Sequence, residues 1–306
     1  MGEINVDPKN IIIQEKDTRC APSKNYESYS CLSLNSLISM AEAYNKTFED
    51  KIKLYPDFDL ANPKKYKMYL VYQFQKRFPE CKSQKCWIKQ EFIRHLKEDE
   101  LEELMKNTWR VTGGFQSKFE WLNTIHIDNV MEQYEYKYKD FKFLRAVPID
   151  FDDLPQYGLK NLDLDEYKKN GKNRFGIIFN LDPHDKEGSH WVALYFDTEK
   201  NLIYFSDSYG IRPEDHICKL IRRIVRYCLS KNKVKHVVAD HNKTRFQHKN
   251  SECGMYSLNF IIRLVSGETF EEIIKKPLPD DVVHACRAKY FGDAKIYNVP
   301  DPNICK

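Results

Sequence analysis

The chain has 306 residues, of which 42% are apolar and 13% aromatic, enough to bury a core, so wholesale disorder is excluded. Its 49 basic and 45 acidic side chains leave a formal net charge of only +4, too balanced to mark a nucleic-acid binder. The longest apolar run, Trp191 to Phe196, is six residues, whereas a membrane helix needs about 20, so no spanning segment is expected.

The start, Met1-Gly2-Glu3-Ile4-Asn5-Val6, lacks the apolar stretch of a secretory leader and the Ser or Thr at position 6 that myristoylation prefers. Cys305 is next to last, the wrong place for prenylation. The expectation is a soluble intracellular protein whose nine cysteines are reduced, one of them a candidate reactive thiol.

Residues 1–110 read as a helical extension and 111–306 as a second domain. The first twenty or so are polar and aperiodic, as in a flexible or wrapping arm. Leu34, Leu37, Ile38, Ala41 and Tyr44 recur at helical spacing behind Ser33 as N-cap. Pro63 suits the start of a helix through Tyr69, Tyr72 and Phe74. A third helix is expected from Ser83 to Lys106, with Trp87, Ile88, Phe92, Leu96, Leu101 and Leu104 inward. Thr112-Gly113-Gly114-Phe115 marks a joint, and a helix with Ile127, Val130, Met131 and Tyr134 on one face follows. Residues 145–174 are acidic and turn-rich, a surface excursion.

Beyond it the period changes from 3.6 to 2. Phe175–Asn180, Trp191–Asp197, Leu202–Asp207 and Val234–His241 read as strands. A helix with Ile217, Leu220, Ile221, Ile224, Val225 and Cys228 inward lies between the last two. Gly254 to Val265 reads as a buried helix, and short helices near 269–276 and 280–290 finish the chain. The expected class is α+β, a small central mixed sheet flanked by helices, with the N-terminal helical extension.

Four positions in the second half carry the chemistry: His190, Asp207, Gln247 and Cys253. A free thiol titrates near about 8.5 and needs help to be a thiolate at neutral pH. Cys253 opens an apolar helix, whose positive end favours an anion. His190 opens one strand and Asp207 closes the next. The Asp197–Asn201 link is short enough for a hairpin, which sets the two side by side, as a carboxylate orienting an imidazole requires. Asp182 and Asp185 precede His190 in a loop and Asp197 sits at the far end of its strand, so Asp207 is the preferred acid. Gln247, six residues before Cys253, can donate an amide N–H to an oxyanion beside the Cys253 backbone N–H.

The order Ser189-His190-Trp191, then Asp207-Ser208, then Gln247 followed by Glu252-Cys253-Gly254, resembles the ubiquitin-like-protein-specific (SUMO) protease superfamily. That superfamily includes the adenovirus protease and the polyprotein-processing proteases of large DNA viruses, such as that of African swine fever virus. Upstream, Trp121-Leu122-Asn123-Thr124 is similar to the Trp-Leu-Asn-Asp motif of the SUMO proteases, with Thr124 in place of the acid. The resemblance covers residues 110–290. Residues 141–151 and the pattern Cys20-Ala21-Pro22-Ser23 with Ser30-Cys31-Leu32 look most like the giant-virus members.

The resemblance implies a thiol endopeptidase cutting after small residues, Gly-Gly-X above all, in viral structural precursors. Cys253 would be nucleophile, His190 the proton shuttle, Asp207 its orienter and Gln247 the oxyanion helper, with Trp191 and Trp121 lining a channel around the substrate glycines. It implies no metal or cofactor, a polypeptide partner, no membrane, and a setting in the virion or host cytoplasm. An isopeptidase acting on ubiquitin or a ubiquitin-like modifier is the alternative, and an acyltransferase or degenerate binding module of the same fold a minor one.

Two features stand outside that pattern. Cys81 and Cys86, with four residues between them, together with Cys20 and Cys31 make a loose four-cysteine zinc set, against ordinary reduced thiols. From Lys219 to Lys249 there are ten Lys/Arg and one acid, Asp240: a solvated face, a dock for an acidic partner, or a nucleic-acid activator site.

Overall fold

The computed structural model describes residues 6–55, 62–294 and 305. The chain divides into two compact units, Met1–Thr112 and Gly113–Lys306.

In the first unit, helix α1 (Leu34–Thr47) starts where Ser33 Oγ accepts the Ser36 N–H at 3.0 Å. Helix α2 (Pro63–Arg77) starts on an Asn62 cap with proline at its first position. Their apolar faces, Leu37, Met40, Ala41 and Tyr44 on one and Tyr66, Leu70, Val71 and Phe74 on the other, share one core. The continuous helix expected from Ser83 to Lys106 is not formed. Two 3-10 segments, Gln84–Lys89 and Glu91–His95, precede helix α3 (Glu98–Asn107), with Gln90 and Leu96 extended at ψ 157°. Adjacent pairs, Trp87 with Ile88 and Phe92 with Ile93, are all buried. Short tight turns separated by extended residues let both members of each pair reach the same core.

Of the two forms expected for the polar arm, flexible or wrapping, the described part takes the wrapping one. Its first five residues lie outside the described ones, but Ile11 and Asp17 are buried, and Asp17 Oδ1 accepts the Gln84 N–H at 2.8 Å. Burial pushes the Asp17 carboxyl up to about 6, against the opposing pull of that N–H. The acid is therefore favoured in the folded unit. Its contribution to stability is full below the unfolded carboxyl range near 4 and is lost as pH rises through 6. Discounted for solvent screening, the loss is on the order of 1 kcal/mol. Asp17→Asn should therefore gain melting temperature relative to wild type at pH 7.5 but not at pH 4.5. A difference between the two proteins that is the same at both pH values contradicts this.

In the second unit, helix α4 (Thr124–Lys137) leads into a five-stranded sheet in the order β1-β2-β3-β4-β5. The strands are β1 (Phe141–Pro148), β2 (Arg174–Asn180), β3 (Trp191–Asp197), β4 (Leu202–Ser206) and β5 (Val238–His241). The inner pairs are antiparallel and the outer pairs, β1 with β2 and β4 with β5, parallel. Strand β1 falls where the surface excursion was expected to begin. Lys142 and Arg145 disguise its pattern, and a bulge between Phe143 and Ala146 puts Arg145 at φ 79°. After it, Phe151, Leu159 and Leu164, the last in helix α5 (Leu164–Lys169), are buried rather than solvated. Strand β5 forms only over the last half of the segment expected for it.

Helix α6 (Asp215–Asn232) lays Ile217, Leu220, Ile224 and Cys228 against Val192, Leu194, Phe196, Ile203 and Phe205. Helix α7 (Cys253–Val265) is buried along its whole length. Two glycines allow the close approach this needs: a Cβ at Gly176 would stand 3.0 Å from the Ile261 side chain, and one at Gly254 3.0 Å from Leu122 Cβ. Helices α8 (Phe270–Lys275), α9 (Asp280–Ala285) and α10 (Arg287–Tyr290) complete the unit. Among the described residues no helix is long and apolar enough to cross a membrane.

The expectation of reduced thiols fails for six cysteines. Cys20–Cys31, Cys81–Cys86 and Cys286–Cys305 are disulfides, with Cα separations of 5.2, 5.5 and 5.4 Å, within the usual span of the bond. Two of these bonds consume the four cysteines of the loose zinc set, which overturns that reading. Cys218, Cys228 and Cys253 are free.

Candidate active site

The β3–β4 hairpin has the register Ala193↔Ser206 and Asp197↔Leu202. The residue before β3 and the residue after β4 therefore meet at one end. His190 Nε2 lies 2.7 Å from Asp207 Oδ1, with both side chains buried. The other acids in range have different tasks: Asp182 accepts the Ser189 N–H at 2.8 Å, and Asp197 accepts from Glu199 N and Lys200 N in the hairpin turn.

Cys253 is the first residue of α7 and is buried. The leading N–H groups of a helix have no intrahelical partner and carry its positive end, so the sulfur sits where an anion is favoured. Cys253, like Asp207, is among the groups that act on the His190 ring. With Asp207 on Nε2, the nitrogen facing the sulfur is Nδ1. Burial by itself pushes the imidazole down. The Asp207 hydrogen bond, then the Cys253 hydrogen bond, then the two negative charges push harder, and the ring is held up to about 9. An imidazolium facing a thiol at a helix N-terminus is the arrangement that generates a nucleophilic thiolate at neutral pH.

Gln247 is fully buried. Its Oε1 accepts from Ser208 Oγ at 2.7 Å and its Nε2 donates to the Lys249 carbonyl at 2.5 Å. The Lys249 carbonyl, which can only accept, fixes which end of the amide is which, and one N–H remains to be offered elsewhere. The backbone N–H groups of Phe246 and Gln247 both reach the Ser208 carbonyl, so the loop carrying Gln247 is fastened to the loop carrying Asp207. Trp191 is buried and its Nε1 donates to the Leu122 carbonyl at 2.8 Å. Trp121, one residue earlier, is 49% exposed, beside exposed Phe119 and Ile125 in the sequence. The indole of Trp191 thus positions the backbone next to Trp121 instead of standing free.

Several residues of the site were not foreseen. Asn242, also buried, accepts the Asp207 N–H at 3.0 Å and donates to the carbonyls of Asp207 and Thr244. Glu252, next to the cysteine, is buried among Ser251 Oγ, His284 Nδ1 and Arg287 Nε at 2.9, 2.9 and 3.2 Å. Tyr209 lies flat on His190, ring centroids 4.5 Å apart and planes 1° from parallel. Asn242 and Tyr209 sit within a few residues of recognised positions, but spacing alone gave no signal for them. The acid beside Cys253 was visible only as part of a motif.

The model of the Ulp1 protease family, C-terminal catalytic domain, matches residues 176–299, a span holding His190, Asp207, Gln247 and Cys253. A protein of Acanthamoeba polyphaga mimivirus described as a thiol protease is 36% identical over 282 residues, 89% of this chain and 92% of its own. A cysteine protease of African swine fever virus is 25% identical over 187 residues, 56% of this chain and 67% of its own. The crystal structure of an African swine fever virus protease aligns over 94% of this chain and 99% of that one, with a TM-score of 0.59 at 18% identity, a likeness of fold. Matched to a viral relative along almost its whole length, and across the helix, hairpin and loop just described by the family's catalytic domain, the chain belongs to the Ulp1 protease family and is a cysteine protease.

Proposed function

We propose that Cys253, His190 and Asp207 form the catalytic triad and that Gln247 serves the oxyanion. The observation that supports this is a buried imidazole hydrogen-bonded to Asp207 and raised in proton affinity by Asp207 and Cys253 together. The Cys253 thiolate attacks the scissile carbonyl, and the oxyanion takes N–H groups from Gln247 Nε2 and the Cys253 backbone. His190 gives its Nδ1 proton to the leaving amine, which departs and leaves a thioester. It then takes a proton from water, whose hydroxide releases the product acid and regenerates the thiol. Asp207 holds the ring through Nε2 throughout.

The substrate we infer is a polypeptide cut after Gly-Gly, in viral structural precursors. Half-exposed Trp121, whose backbone neighbour Trp191 holds, supports this, since a channel walled by an indole leaves no room for a Cβ. The first unit would hold or position that substrate. Gly-Gly-X peptides should be cleaved by wild type and by Cys253→Ala at least about 10⁴-fold more slowly; equal turnover ends the assignment. A second reading is removal of a ubiquitin-like modifier. It is favoured by the name of one relative, a SUMO-1 cysteine protease of African swine fever virus. Folded ubiquitin and SUMO bearing a C-terminal electrophile decide between them: rapid capture at Cys253 supports the isopeptidase, labelling by short peptides alone the endopeptidase.

A further inference from the structure

Resting on the triad just proposed, we infer that Tyr209 is a positioning residue for His190, locking the tilt of the imidazole through a stack that continues to Arg245. The in-plane hydrogen bond from Nε2 to Asp207 leaves the ring free to rock about that bond. A flat partner removes that freedom. Tyr209 supplies it, parallel to within 1° at 4.5 Å. The phenol is itself held from two sides. Its backbone N–H donates to Asp207 Oδ1 at 2.8 Å, the same oxygen that takes His190. The Arg245 guanidinium lies over the same phenol, 4.6 Å from its centroid, while Arg245 Nε donates to the Gln247 carbonyl at 2.6 Å.

The turn after Tyr209 is built to bring these loops together. Gly210 takes φ +74°, and a Cβ there would come 2.6 Å from the Thr244 backbone. One stack therefore joins the acid loop, the base and the Gln247 loop. The charged or titratable groups facing His190 are Asp207 and Cys253 directly, and Arg245 through the phenol. The face of an aromatic ring attracts a cation. The stack therefore favours the imidazolium while it fixes the plane in which Nδ1 meets the sulfur.

The test is Tyr209→Leu against Tyr209→Phe, read by kcat and KM on a peptide substrate and by NMR titration of His190 in each variant combined with Cys253→Ala. Leucine keeps bulk and removes the flat face; phenylalanine keeps the face and removes only the hydroxyl. The expected result for Tyr209→Leu is a kcat lower by about 10- to 100-fold with KM within about twofold. Its His190 titration should move to lower pH, with melting temperature near wild type, and Tyr209→Phe should restore both readouts. Wild-type kcat and titration in Tyr209→Leu overturn the inference, as does equal damage in Tyr209→Phe. Loss of melting temperature in step with activity also counts against it. Full turnover by Cys253→Ala would sink the triad instead, and the NMR titration would still decide the stack.

Discussion

Asp207→Ala is expected to lower kcat by about 10³-fold with little change in KM, because in the triad proposed above the carboxylate holds the general base and touches no substrate atom. The size follows from three losses at one atom. Oδ1 takes His190 Nε2 at 2.7 Å and the Tyr209 N–H at 2.8 Å, and its charge is among the forces that hold the imidazole up to about 9. In alanine the base loses its anchor, its charge support and part of the loop that stacks on it. Asp207→Asn should be milder, about 10-fold, since an amide oxygen can still accept from Nε2, as asparagine does in papain-like sites. Steady-state kinetics on the two variants check both values. A loss under about threefold in Asp207→Ala would mean that another group orients His190.

The second large effect concerns the thiol itself. Alkylation of Cys253 by iodoacetamide is expected to be faster in wild type than in His190→Ala wherever the imidazole keeps its proton, that is, until pH passes about 9. The sign follows from His190. Its folded proton affinity is raised, so the imidazolium that pairs with the thiolate persists through neutrality and is lost only as pH passes 9. His190→Ala removes the partner and should slow alkylation at pH 6 by about 100-fold, while at pH 10 the two proteins should converge. Equal rates at pH 6 in wild type and His190→Ala would refute the pairing. Cys218 and Cys228 give the internal comparison, and burial pushes the Cys228 thiol up.

The parts of this site that the sequence exposes are those carried by short-range geometry. A hairpin of known ends puts His190 beside Asp207 without knowledge of the rest of the fold. An apolar run behind Cys253 announces a helix start. Asn242, Tyr209 and Arg245 were missed because their roles arise where two loops pack side by side, and no periodicity encodes which loop residues face each other. The same holds for the cysteines: pairing depends on Cα separations of 5.2 to 5.5 Å between segments whose paths the sequence does not give. Strand β1 was hidden by two cations on a strand whose inward residues are otherwise apolar, Phe141, Phe143, Leu144, Ala146 and Val147. The break in the helix expected over 83–106 was hidden because its apolar spacing suits a helix almost as well as it suits two tight turns.

Sulfur has two incompatible duties in this chain. In the triad proposed above Cys253 works only as the free thiol, and dithiothreitol or glutathione would keep it so. The same reagents attack Cys20–Cys31 and Cys81–Cys86, which tie down loops in the first unit, and Cys286–Cys305, whose upstream half adjoins Arg287, a partner of the buried Glu252 beside Cys253. Strong reductant protects the chemistry while loosening the scaffold around it, and air does the reverse. A solvent poised between the two is expected to keep the Cys253 thiol reduced while the staples stay closed.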